Sequence, residues 1–261
     1  MFVTLITDCQ DDNALGRLTT RLSTLFNCHI TTIGVGSDLE AAGNLIDTLD
    51  ASIGEKGIVI VNVAPRHKEA KKWPNGTPFG YFFYKQTLVI SSVDGLTLSL
   101  VKKFGLTDQI KLMDIPTIVS TLVENGAIIK DLAGHITHTQ FRSFEFLPRV
   151  AKWLSDGTQI PTSDFPILRS SVSPDTIWWI DNFGNCKTTL LSTDLNFSAG
   201  KKINTKFGEL TCYNRLKDVP DDQPALIIGS SGLEERFLEI VVQGQSAAKL
   251  LNIKSGDLIT F

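Results

Sequence analysis

Along the first half of the chain, apolar residues fall in short runs whose spacing alternates between two periods. Residues 2–7 (Phe-Val-Thr-Leu-Ile-Thr) make one apolar run of strand length. In residues 13–26, Leu15, Leu18, Leu22 and Leu25 recur at intervals of three and four, which predicts a helix with one buried face. Residues 29–35 are rich in β-branched side chains and predict a strand. Ser37-Asp38-Leu39-Glu40 has the form of a capping box opening a helix that runs to about Leu49. Residues 57–63 and 86–92 read as further strands, and a helix is predicted over 96–104. This alternation predicts an α/β domain built on a mostly parallel sheet covered by helices.

The texture changes at residues 155–175, where Gly157, Pro161, Pro166 and Pro174 stand among serines and threonines. That stretch reads as a linker. Beyond it come short strand-like runs at 176–180, 187–191, 210–213, 225–228, 238–242 and 257–260. Turn signals separate them, and a short helix near 246–251 interrupts them. They predict a smaller all-β module, a barrel. The expected organisation is an N-terminal α/β domain over 1–160 and a C-terminal β-barrel domain over 170–261. A length of 261 residues allows one large domain or two modest ones.

Composition narrows the function. The 25 basic and 28 acidic residues give a net charge of −3, which disfavours a nucleic-acid partner. The four cysteines (Cys9, Cys28, Cys186, Cys212) lack CxxC pairing, so neither a disulfide scaffold nor a zinc site is expected, and a reducing cytoplasm fits. The first residues carry no basic segment before the apolar run, and no stretch approaches the ~20 apolar residues a bilayer requires. A cytoplasmic protein with no membrane partner is expected.

Three constellations offer chemistry. Thr7-Asp8-Cys9-Gln10-Asp11-Asp12-Asn13 follows the first strand, where open α/β sheets bind ligands. Asp8 can grip a ribose diol; the three aspartates together could instead hold a divalent cation, or Asp11, Asp12 or Asn13 could simply cap the next helix. In Ile180-Asp181-Asn182-Phe183-Gly184-Asn185, a carboxylate and a carboxamide bracket a turn, and an Asn side chain can both donate to and accept from an adenine edge; the same letters also suit a plain hairpin turn. In Gly229-Ser230-Ser231-Gly232, two hydroxyls and several amides in a glycine-flanked turn suit a carboxylate. The Trp178-Trp179 pair reads as strand packing, and His29, His135 and His138 as surface or core residues. His67, among Arg66, Lys68, Lys71 and Lys72, belongs to a basic loop that is either a solvated surface or an anion site.

Taken together, these segments resemble the S-adenosylmethionine hydroxide adenosyltransferases, relatives of fluorinase and chlorinase. Leu5-Ile6-Thr7-Asp8 is similar to the family's opening strand and its ribose-binding aspartate. Residues 180–185 resemble its Ile-Asp-x-Phe-Gly-Asn turn. Ser230-Ser231-Gly232-Leu233, Leu238-Glu239-Ile240-Val241-Val242, Ser246-Ala247-Ala248-Lys249-Leu250-Leu251 and Gly256-Asp257 resemble its C-terminal signature, with Glu234, Glu235 and Arg236 among a few extra residues. Weaker similarity covers 38–42 and 93–96. The resemblance implies an α/β layer followed by a β-barrel, a homotrimer with the nucleoside pocket between subunits, and attack of water or halide on C5′ of S-adenosylmethionine. It implies substrate contacts at Asp8, Asp181, Phe183, Asn185, Ser230 and Ser231. S-adenosylmethionine is then substrate or ligand, with no cofactor and no metal.

The sequence departs from the family at the water-activating residues. The aspartate of the family's Asp-Pro-Gly turn corresponds to Ala64, its arginine falls near Lys71 or Lys72, and residues 141–148 lack its histidine. Arg66, Lys71 and His138 are the candidates to refill that role. The expected function is binding of S-adenosylmethionine or adenosine and, if the protein is active, hydrolysis to adenosine and methionine. A catalytically inactive nucleoside-binding or structural homologue is one alternative. A metal-dependent nucleoside hydrolase, suggested by the 8–12 aspartates, is the other.

Overall fold

The computed structural model describes residues 1–64 and 76–261. The chain divides into two compact units, Met1–Val172 and Ser173–Phe261. Each has its own sheet.

In the first unit, strands β1 (Phe2–Thr7), β2 (Ile30–Gly34), β3 (Gly57–Asn62), β4 (Phe79–Tyr84), β5 (Thr87–Ser92), β6 (Gln109–Met113) and β7 (Ser163–Pro166) lie in the order β2-β1-β3-β5-β4-β6-β7. The pairs β1–β2, β1–β3 and β3–β5 are parallel; β4–β5, β4–β6 and β6–β7 are antiparallel. The sheet is therefore mixed rather than mostly parallel. The cause is local: β4 folds back on β5 through a tight turn at Lys85-Gln86, with Lys85 at φ 53°, so the parallel register cannot continue past β5. Residues 155–175 are not a bare linker either, because Ser163–Pro166 pairs with β6 as an edge strand.

The helices of this unit are α1 (Asp12–Phe26), α2 (Asp38–Ala51), α3 (Ser99–Lys103), α4 (Ile115–Glu124), α5 (Lys130–His138), α6 (Arg142–Glu145) and α7 (Leu147–Ser155). Helix α1 buries Leu18 and Leu22, two of the four leucines that set its period. They join Val3, Leu5, Ile58, Ile60 and Ile90 of the sheet in one core. Each such side chain contributes about 1.5–3 kcal/mol of transfer free energy. Helix α2 starts as its capping box requires: the Ser37 hydroxyl accepts from the Glu40 amide at 3.1 Å. No helix among the described residues is long and apolar enough to cross a membrane.

The second unit is strand-rich. Strands β8 (Ile177–Ile180), β9 (Cys186–Leu191), β10 (Lys202–Thr205), β11 (Gly208–Tyr213), β12 (Pro224–Gly232) and β13 (Arg236–Val242) form one sheet in the order β10-β11-β12-β13-β9-β8, and α8 (Ala247–Leu250) follows. Residues 257–260, expected as a strand, instead bridge both outer strands. The Ile259 amide donates to the Asp175 carbonyl at 2.7 Å, before β8, and the Lys206 amide donates to the Thr260 carbonyl at 3.0 Å, after β10.

Candidate functional site

In the first unit the carboxyl ends of the parallel strands carry a cluster of polar residues. Thr7, Asn62, Ser91 and Ser92 are all buried there. They satisfy one another: Asn62 Nδ2 donates to Thr7 Oγ1 at 3.0 Å, and the Val63 amide to Ser92 Oγ at 3.4 Å. Asp8 is the next residue after β1, and its amide donates to the Asn62 carbonyl. Its carboxylate accepts from the Ala64 amide at 3.2 Å. The position to which the resemblance assigns the water-orienting aspartate, here Ala64, is thus one hydrogen bond from the proposed ribose ligand. Cys9 lies beside it, its thiol 3.7 Å from Asp8 Oδ1. Burial, then the Asp8 charge, push the Cys9 thiol up, so it stays protonated and is no nucleophile at neutral pH.

The three aspartates do not converge. Asp8 turns to Ala64, while the Asp11 side chain accepts from the Ala14 amide at 2.9 Å and caps α1. Asp12 sits exposed in the first turn of that helix. Among the described residues, no three His, Cys, Asp or Glu side chains are grouped to hold a metal ion. The donor set that the cation-dependent alternative needs is not assembled.

In the second unit, residues 181–185 form a closed turn between β8 and β9. One oxygen of the Asp181 carboxylate accepts from the Phe183 and Asn185 amides, each at 2.9 Å; the other accepts from Asn185 Nδ2 at 2.9 Å. The Asn185 carboxamide is therefore oriented by Asp181, with its nitrogen engaged and its oxygen left as the group to offer. Phe183 stands 72% exposed at the tip. The turn is seated on α8: the Ala248 amide donates to the Gly184 carbonyl at 3.0 Å.

Ser230 and Ser231 lie at an irregularity of β12, where its register with β13 shifts between Ile228 and Gly232. Glu239, buried on β13, folds across Gly229, and its Oε1 accepts from the Ser230 amide at 3.2 Å. A Cβ at Gly229 would collide with that carboxylate, which fixes glycine there. Lys187 on β9 reaches the same place; its ammonium donates to Ser231 Oγ and lies 5.5 Å from the Trp178 ring centre. Asp181 with Asn185, and Ser230 with Ser231, thus form two polar groups of one sheet, while Asp8 belongs to the other unit.

Residues 175–260 match the model of the SAM hydroxide adenosyltransferase C-terminal domain. The match spans nearly all of the second unit. The SAM hydroxide adenosyltransferase C-terminal domain covers every second-unit site residue named above, Asp181 to Glu239. No curated protein matches the chain. Two solved structures are similar over nearly its whole length. One is an uncharacterized conserved protein from Thermotoga maritima, with TM-score 0.68 and 14% identity over 99% of this chain and 98% of that one. The other is a conserved hypothetical protein from Thermus thermophilus, with TM-score 0.60 and 15% identity over the same shares. At such identities the likeness is one of fold.

The candidates for the water-activating role fare differently. Arg66 and Lys71, with His67, Lys68 and Lys72, lie outside the described residues. His138 ends α5 and is exposed; it lines a cleft of about 550 Å³ with Lys130, His135 and Glu145, a lining that does not include Asp8 or Ala64. His29 and His135 are exposed as well. Sequence reasoning gave no site role to Lys187, Glu239 or Asn62. Glu239, a lone charge in the apolar run 237–242, and Asn62, a polar residue closing the apolar run 57–61, each left a signal.

Proposed function

We propose that the protein binds the adenosine moiety of a nucleoside ligand. Asp8 accepts from the ribose hydroxyls, Asn185 reads the adenine edge, and Phe183, Ser230 and Ser231 complete the contacts in the family manner. The observation that carries this reading is the Asp181–Asn185 lock, lying in a unit matched to the SAM hydroxide adenosyltransferase C-terminal domain. With Asn185 Nδ2 held on Asp181 at 2.9 Å, its carboxamide oxygen is set to accept from an exocyclic amine such as that of adenine. Orienting that oxygen before binding removes an entropic cost from recognition.

On this reading S-adenosylmethionine turnover is slow. Its sulfonium is already a good leaving group, so the protein's task is to align and activate water. Ala64 offers no carboxylate for that, and general-base assistance is typically worth about 10²–10⁴-fold. The experiment is calorimetry with adenosine, followed by incubation with S-adenosylmethionine with and without chloride and product analysis. Adenosine should bind to wild type. Asp8→Ala should weaken it by about tenfold or more, as for hydrogen bonds to a charged group worth ~1.5–3 kcal/mol, and Asn185→Ala by about fivefold, as for a neutral one worth ~1 kcal/mol. Ala64→Asp places a carboxylate beside Asp8 and should raise the yield of adenosine from S-adenosylmethionine. Absence of adenosine binding at millimolar ligand would overturn the reading.

The same proposal includes a barrel in the C-terminal unit, supported by residues 257–260 bridging its outer strands, and a homotrimer, as the family resemblance implies. It also includes a cytoplasmic setting, which the four free cysteines suit.

A further inference from the structure

Strand β2 ends the first sheet: it pairs with β1 on one side and with no described strand on the other. Sheet edges are normally shielded by a charge, a proline or a bulge, yet Ile-Thr-Thr-Ile-Gly holds no charged residue and no proline. Thr31 and Thr32 are exposed. A cleft follows each face of this edge. One, of about 610 Å³, runs between β2 and α1 and is lined by Ile30 and Thr32 with Asp12, Thr20 and Thr24. The other, of about 600 Å³, runs between β2 and α2 and is lined by Thr31 and Ile33 with Phe2, Ile53, Asp47 and Glu55. Successive β2 residues thus face two different clefts, as the pleat of a strand requires. Three carboxylates and no lysine or arginine line the pair.

Ile53 adds a second observation. It follows the end of α2 in the left-handed conformation, at φ 46°, a position glycine ordinarily takes and a β-branched side chain disfavours. The surrounding turn fixes it there. The Ile53 amide donates to the Asp50 carbonyl at 3.0 Å, the Gln86 amide to the Gly54 carbonyl at 3.3 Å, and Thr87 Oγ1 to the Glu55 carbonyl at 2.8 Å. The side chain is nevertheless 79% exposed, so burial within the chain does not offset the strain. An apolar group is held out beside the cleft that Asp47 and Glu55 make acidic.

We propose that the β2 edge accepts an extended, basic segment of another protein as an added strand. Backbone hydrogen bonds to β2 supply affinity, and alternate side chains entering the two clefts supply selectivity. On the α2 side the segment meets Phe2, Ile33 and Ile53 with Asp47 and Glu55, which fits an apolar residue with a lysine or arginine two positions away. On the α1 side it meets hydroxyls and Asp12, which fit polar or basic residues. A second copy of this chain is the poorer occupant, because its own β2 carries no basic side chain and arrives with the same carboxylates on both faces. The proposal is independent of the nucleoside reading, which uses Asp8 and the second unit.

The test is fluorescence anisotropy on the full chain with a labelled peptide, Lys-Thr-Val-Lys-Leu-Thr-Lys. Two controls accompany it: the same peptide with glutamate for each lysine, and the lysine peptide with every backbone amide methylated. The lysine peptide should bind at least about tenfold more tightly than either control, and added salt should weaken it. Hydrogen exchange should slow across Ile30–Gly34 when it binds. Ile53→Gly removes the left-handed strain, so its urea midpoint should hold or rise while peptide affinity falls by about fivefold or more, a split that a merely structural residue would not give. Asp12→Asn with Glu55→Gln should narrow the preference for lysine over glutamate by about threefold or more. No binding of the lysine peptide at millimolar concentration would overturn the proposal. So would equal binding of the lysine and glutamate peptides, or binding that leaves exchange at Ile30–Gly34 unchanged. Self-association of wild type that disappears in Ile53→Gly, read by light scattering, would assign the edge to a second copy and overturn it as well.

Discussion

Gly184 has φ +88°, and a Cβ on it would run into Ser246, the residue whose hydroxyl caps α8. Gly184→Ala therefore meets both backbone strain and a collision where the Asp181–Asn185 turn sits on its helix. A loss of about 1–3 kcal/mol is expected, read as a lower urea midpoint for the C-terminal unit. Next to it, burial, then the charges of Asp181, Glu239 and Asp257, push the Cys186 thiol up to about 12. It stays protonated far above neutrality, so at pH 8 iodoacetamide should label half-buried Cys28 while Cys186 remains unmodified by mass spectrometry. Residue placements were legible where local pattern alone sets them. Asp8 closes an apolar run, and Ser37 precedes Glu40 by the spacing of a capping box. The use of Asp181 was not legible, because the letters Asp-Asn-Phe-Gly-Asn serve a plain hairpin turn as well as a locked carboxamide. Lys187 was hidden for another reason. Its partners Ser231 and Trp178 are brought to it by strand pairing across the sheet, which spacing along the chain does not encode.

At the scale of elements, period and caps located β1, α1, β2, α2, β3 and β5 to within a few residues. Strand β4, six residues of Phe-Gly-Tyr-Phe-Phe-Tyr, went unread, although its aromatic content favours a strand. Its connection to β5 is Lys-Gln rather than the Asn-Gly or Asp-Gly that signals a two-residue hairpin. With β4 unseen, the antiparallel half of the sheet could not be anticipated, nor could the pairing of β7 with β6. That pairing locates protease sensitivity. Ser163–Pro166 is held by its ladder, whereas Leu168, Arg169 and Val172 beyond it are exposed. Limited digestion should cut within 168–175 before it cuts inside β3, all six residues of which are buried. An earlier cut inside Gly57–Asn62 would contradict the placement of β3 at the centre of its sheet.

For the whole molecule, an α/β first part and a strand-rich second part were legible because the chain's texture changes between them, from helix-and-strand alternation to short strands and turns; the mixed character of the first sheet was not. Assembly is the remaining property at this scale. Multi-angle light scattering at micromolar concentration should give three times the 28.7 kDa chain mass, and a monomer would refute the proposed trimer. Residues 257–260 carry one more consequence. They tie the segment before β8 to the segment after β10, so the second sheet has both outer strands secured by residues emerging at the far end of its sequence. During synthesis the first unit can close on itself while the second is still being made. The strands from β8 onward must wait, with two unpaired edges, until residues near 260 have left the ribosome. That interval is when the nascent chain is most open to edge-to-edge association with its neighbours, and co-translational chaperone capture should be strongest there.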